Sequence, residues 1–342
     1  MAGHAHAPSV DIHAHFFPGE YLKLIEREGS SYGAQVFHPE KPRGDGGLLV
    51  DGTRWTVAHK IVDIGARVRA MDKQGVQTQA LSLTAPMVYW ATSSLGQKLS
   101  AAYNDGLGQA HDDHPDRFVG LAILPMQDPK LALKELNRAA KIPGVRGVYM
   151  ATRVLEKELS DPSFFDVFER CEELGLPIFL HPIKVVDPAR LKAYYLNNLI
   201  GNPTESAIAA SHLIYGGVLD RFKKLVVCLP HAGGSFPYLI GRIDHGWEVR
   251  PECKHLKNRP MSYLRRFYYD TITHAAKPLG YLIDLVGADR VMLGSDYCFD
   301  MGYERPVEIV TKHKGLSAKD RDLILGGNAV RLLGLKTPKK KK

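Results

Sequence analysis

The stretch Val10-Asp11-Ile12-His13-Ala14-His15 decides how this chain is read. Val10–Ile12 reads as a short strand, and in a strand residues two apart point the same way. His13 and His15 therefore project together from its end. Imidazole is a common ligand of zinc and related metals, so two histidines on one face make half of a metal site. The pattern alone is weak: His4-Ala5-His6 repeats it near the N-terminus, where no function is expected of it.

Seven more short β-rich runs follow: Thr78–Thr84, Phe118–Leu124, Val145–Met150, Pro177–Leu180, Lys224–Leu229, Phe267–Thr271 and Arg290–Leu293. Most lack polar/apolar alternation, as strands buried on both faces do. Between them, Ile64–Gln74, Leu95–His111, Pro129–Lys141, Ser163–Leu174, Glu205–Leu219, Ser235–Trp247 and His274–Val286 carry apolar residues at helical spacing. A short helix, Asn328–Leu333, ends the series. Asp161-Pro162 and Pro203-Thr204-Glu205 are plausible helix starts, and Gly175 a left-handed stop.

Eight strands alternating with helices can close into a barrel or lie open as a doubly wound sheet. The polar residues decide. His181 ends the fifth run, His231 follows the sixth and Asp296 follows the eighth. In a (β/α)8 barrel the carboxyl ends of all strands share one face, where active sites lie. His13, His15, His181, His231 and Asp296 would then meet in one mouth. Four such N/O donors suit Zn²⁺, Mn²⁺ or Fe²⁺ with a position left open, and the fifth group, whichever it is, can move protons. The expected fold class is α/β, a (β/α)8 TIM-like barrel.

Residues 16–62 break the rhythm. They are rich in Gly, Pro and charge, with a hairpin-like stretch at Asp45–Val57. A connection this long usually has a function, and it is read as a cap inserted over the catalytic end. One domain is expected over residues 1–335, followed by a basic tail at 336–342.

The 342 residues are 44% hydrophobic and 24% charged, ordinary for a globular enzyme. Net charge is +8, but removing the five lysines at 336 and 339–342 leaves +3, which argues against nucleic-acid binding. Cys171, Cys228, Cys253 and Cys298 form no C-x-x-C pair, and Cys228 reads as core. No signal-peptide core and no spanning stretch is evident, so a cytoplasmic protein without membrane contact is expected.

The chain resembles the amidohydrolase superfamily, in the branch typified by aminocarboxymuconate-semialdehyde decarboxylase. The resemblance rests on Asp11-Ile-His-Ala-His-Phe-Phe-Pro18, His181-Pro182, His231-Ala-Gly-Gly-Ser-Phe236, Gly241-Arg-Ile-Asp244 with Trp247, and Val291-Met-Leu-Gly-Ser-Asp-Tyr297. It implies a distorted barrel, one divalent metal (zinc first, manganese or iron as alternatives) and non-oxidative decarboxylation of an unsaturated or aromatic carboxylic acid. A hydrolase or hydratase on the same scaffold is the alternative. It makes His13, His15, His181 and Asp296 the metal ligands and His231 the proton-transferring base, with Asp296 also orienting water. Arg54 roughly matches an arginine for the substrate carboxylate. Arg242 matches one that reaches the neighbouring subunit's site in a homodimer; an ion pair with Asp244 is its structural alternative. Phe299, in the segment after Asp296, is expected to meet substrate. Cys298 and Asp300 stand where this branch usually has prolines, and Ile183 where it has tryptophan, so the substrate stays open.

Overall fold

The computed structural model describes residues 8–336, so His4, His6 and the lysines at 339–342 lie outside the described residues. The eight expected strands are all present: β1 (Val10–His15), β2 (Thr78–Ser82), β3 (Phe118–Ile123), β4 (Val145–Ala151), β5 (Ile178–His181), β6 (Val227–Leu229), β7 (Phe267–Asp270) and β8 (Val291–Met292). They pair in chain order, all parallel. The ring closes where the β1 backbone meets the chain after β8: Ile12 N donates to Leu293 O (2.9 Å), Asp296 N to His13 O (2.9 Å) and His15 N to Tyr297 O (2.7 Å). The sheet is therefore a barrel, not an open sheet. Almost every strand residue is buried, which explains the missing alternation.

The helices lie where their apolar spacing puts them. Ile64–Gln74 opens on Asp63, whose carboxylate accepts from Ala66 N (2.7 Å). Phe165–Leu174 stops at Gly175 with φ 65°, a left-handed cap that glycine adopts without steric cost. The expected helix Glu205–Leu219 is two helices, Asn202–Tyr215 and Val218–Arg221, because Gly217 turns left-handed between them (φ 70°).

The insertion holds a helix, Gly19–Glu28, which the sequence pattern did not reveal, and a three-stranded antiparallel sheet. Its hairpin pairs Gly46–Val50 with Thr53–Val57 around Asp51-Gly52, both at positive φ (49° and 72°); such turns match the twist of the strands they join. Leu48, Val50, Val57 and Ile61 are buried in the same core as the barrel. A second excursion, 182–201 after β5, consists of short 3-10 and π turns with Tyr194 and Tyr195 exposed. No described helix is long and apolar enough to cross a membrane.

Candidate metal centre

Strand ends bring the five groups together. The rings of His13 and His15 lie 5.0 Å apart, those of His13 and His181 5.3 Å, His15 and His181 4.9 Å, and His13 and His231 5.1 Å. Asp296 joins them: its Oδ1 is 3.1 Å from His15 Nε2 and 3.6 Å from His13 Nε2, and its Oδ2 is 4.0 Å from His231 Nε2. His231 and Asp296 both sit at positive φ (52° and 59°), conformations that cost a non-glycine residue about 1–3 kcal/mol and cluster at functional sites. The glycines after His231 allow its loop: a Cβ on Gly234 would lie 2.2 Å from Pro203 O.

One donor from each of His13, His181, His231 and Asp296 lies within 4.8 Å of the others, a spacing that a single cation can bridge. His13 Nε2, His181 Nδ1 and His231 Nδ1 are buried without a hydrogen-bond partner. Such orphaned nitrogens are costly unless something supplies a partner, and a divalent cation fits these imidazole and carboxylate donors. His15, outside that quartet, points Nε2 at Asp296 while its Nδ1 meets Ser82 Oγ (3.2 Å). The centre therefore offers five donors, one more than a tetrahedral cation takes.

The electrostatics suit metal binding at neutral pH. Burial, with the neighbouring imidazoles, pushes His15 down to about 4 and His181 well below the ordinary histidine value. Burial and the nearby His13 also lower His231. Burial works against charge on Asp296, but the His15 hydrogen bond and surrounding imidazoles outweigh it and hold the carboxyl far below its usual range. Neutral imidazoles and an ionised carboxylate are the forms that ligate. His13 differs: burial opposes its charge, yet Asp270 and Asp296 raise it.

Asp270, at the end of β7, escaped the sequence reading. Its Oδ2 takes His13 Nδ1 (2.8 Å) and His231 N (2.9 Å), and its Oδ1 takes Ala232 N (2.7 Å) and Ile272 N (3.0 Å). An ionised carboxylate only accepts, so His13 carries its proton on Nδ1 and turns its Nε2 lone pair to the centre. Its one mark in the sequence is its place at the end of an aromatic strand, Phe267-Tyr-Tyr-Asp270, with no partner residue at a telling spacing. Asp11 was also passed over. It binds Ser295 through N (3.0 Å) and Oγ (2.5 Å), and Gln79 Nε2 (3.0 Å), which locks β1 to the residues before Asp296. Burial pushes Asp11 up to about 6 against those hydrogen bonds. Arg67, fully buried, donates to the carbonyls of His15 and Ile61 and to Gln79 Oε1 (3.0 Å).

The three remaining candidates scatter. Phe299 packs 5.3 Å from the His15 ring, beside the centre. Arg54 is exposed on the inserted hairpin with its guanidinium 4.5 Å over the Phe37 ring. Arg242 is exposed on the helix Phe236–Val249 and does not pair with Asp244, whose carboxylate is taken by Arg259 and Met261 N. From the centre a cavity of about 630 Å³ leads outward, walled by residues 198–203, 231–238, 272–282 and 296–301. No residue of the 16–62 insertion is on that wall, to which the excursion after β5 contributes Asn198 and Leu199.

The amidohydrolase family model matches residues 10–335, nearly the whole barrel with its insertion. The chain belongs to the amidohydrolase family. This amidohydrolase is 35% identical over 331 residues to the 2-amino-3-carboxymuconate-6-semialdehyde decarboxylase of Dictyostelium discoideum, covering 95% of this chain and 91% of that one. A solved dihydroxybenzoic acid decarboxylase from Polaromonas sp., with bound manganese and the inhibitor 2-nitroresorcinol, is 27% identical with a TM-score of 0.77, covering 96% of this chain and 97% of its own. The apo IDCase of Metarhizium anisopliae shares the fold at a TM-score of 0.85 and 23% identity, over 96% of this chain and 97% of that one.

Proposed function

We propose that this amidohydrolase is a metal-dependent carboxy-lyase that removes CO₂ from an unsaturated or aromatic carboxylic acid without net oxidation. The observation that carries this reading is a buried cluster of four imidazoles and one carboxylate opening into a largely apolar cavity, in a chain similar along its length to decarboxylases. We assign His13, His15, His181 and Asp296 as ligands and His231 as the base. His13 and His15 each have Nδ1 held by a partner, Asp270 and Ser82, which aims Nε2 inward as ligand histidines require. His231, unlike His181, lines the cavity and is partly exposed, which suits a group that must gain and lose a proton. Zinc is the assigned cation, and the manganese of the Polaromonas relative is the competitor that reconstitution would separate from it.

The reaction consumes one carboxylate and one proton and gives CO₂ and a C–H bond. His231, lowered by burial, is neutral near pH 7 and takes up on Nε2 the one solvent proton that the reaction consumes. It then delivers that proton to the carbon that loses CO₂. A bound divalent cation would supply Lewis acidity to steady the electron pair left when the C–C bond breaks. Asp296 and the three ligand histidines would hold that cation at the inner end of the cavity. Phe299, against His15, offers an aromatic face to a flat substrate.

A homodimer belongs to the same proposal. Tyr238, 82% exposed, lines the cavity, and Arg242 lies one helical turn further on the same exposed face. A second copy seated there would cover the tyrosine and bring Arg242 to its neighbour's opening. Cytoplasmic residence is supported by four free cysteines.

The test is to reconstitute the protein with metal, offer aromatic and muconate-type carboxylates, and trap released gas. CO₂ from a panel member, abolished by a chelator, is the expected result. Metal-dependent cleavage of an amide or ester panel without CO₂ would contradict it.

A further inference from the structure

We propose that Lys277 is a specificity-determining residue that binds an anionic group at the outer end of the substrate. The inference rests on the carboxylate-binding reading of the centre given above. The cavity runs from buried Asp296 and the partly buried His231 to exposed His274 and Lys277. Leu199, Pro237, Tyr238, Ile272, Tyr281 and Met301 make much of its wall apolar, a lining that takes a ring or a conjugated chain. A carboxylate held at the centre would sit at the inner end, with the body of the molecule along those side chains.

Lys277 is the one side chain on this wall with a permanent positive charge. It has no ion pair or hydrogen bond among the described residues. It lies in the first turn of the helix Ala276–Val286; that turn contains no acid, and the helix has no side-chain cap. Asp296, the one carboxylate on the same wall, is engaged by His13, His15 and His231. Nothing local therefore neutralises the ammonium. Arg54, which the family resemblance suggested for a substrate carboxylate, is absent from the wall and stacked on Phe37. The ammonium on its flexible four-carbon stem can reach an anion across the outer half of the cavity.

The experiment uses full-length, metal-loaded protein titrated calorimetrically with benzoate and with benzene-1,3-dicarboxylate, in the wild type, Lys277→Gln and Lys277→Arg. The readout is the ratio of the two dissociation constants in each protein. The wild type is expected to prefer the dicarboxylate by roughly tenfold, the size of one charge-assisted contact. Lys277→Gln should bring the ratio close to one, and Lys277→Arg should restore most of it. A wild-type ratio near one, or a preference that survives in Lys277→Gln, overturns the proposal. The same titration on metal-stripped protein separates the two readings. Binding of benzoate that needs no metal, or no binding at all, overturns the reading of the centre and this proposal with it.

Discussion

The inner end of the site and its mouth are built by opposite means. At the inner end the supports are buried and hydrogen-bonded: Asp270 at the end of β7 holds His13 and the His231 loop, Asp11 in β1 holds Ser295, and Arg67 of the helix Ile64–Gln74 ties the His15 carbonyl to Ile61 of the insertion. At the mouth the residues come from helix ends and from the excursion after β5, and Tyr238 and Tyr281 stand exposed. The difference teaches which part fixes the chemistry and which the choice of substrate. Geometry that must hold a cation within tenths of an ångström sits on the barrel, whereas loops are free to change without disturbing it.

The sharpest way to break that contrast is at its rigid end. Asp270→Asn keeps the size of the side chain but removes the charge that fixes the His13 tautomer. Metal affinity should fall about 10–100-fold, the usual cost of losing such an outer partner, while the protein stays folded; unchanged affinity in a chelator competition would show that Asp270 does not orient His13.

A smaller effect lies in the pH profile. Burial and His13 depress His231, and the neutral imidazole is the form that accepts a proton. kcat/KM should therefore stay level as pH falls to about 6.5, the ordinary histidine value, and decline only below it. An acid limb already evident above that point would contradict a lowered His231.

The smallest effect is expected at the inserted hairpin. Arg54→Ala removes an exposed cation–π contact with Phe37, so stability should change by no more than about 1 kcal/mol in urea unfolding. KM for any turned-over carboxylate should stay within about twofold, since Arg54 is not on the cavity wall. A tenfold rise in KM would return Arg54 to the substrate site and blur the division between barrel and periphery.

What the sequence revealed follows the same division. All eight strands were legible because burial on both faces removes alternation and leaves compact apolar runs, and His13, His15, His181, His231 and Asp296 were legible because each sits at or just beyond such a run. The hairpin-like stretch at Asp45–Val57 is a hairpin in the structure, turned at Asp51-Gly52. Asp270 was missed because a lone acid after three aromatics carries no spacing signal, and its value lies in contacts to residues 257 and 39 positions away. Lys277 and the excursion at 182–201 were missed for another reason: a cavity wall is assembled from segments remote in sequence. Arg54 shows the converse, a residue picked out by motif that the fold places elsewhere.

How much metal His231→Ala retains tests the separation of ligands from base most directly. With His13, His15, His181 and Asp296 as the ligands, the purified variant should carry as much metal as the wild type, an expected one per chain, while turnover falls by about 10²-fold or more. Loss of the metal together with turnover would place His231 among the ligands, and the division between four holding groups and one proton carrier would be wrong.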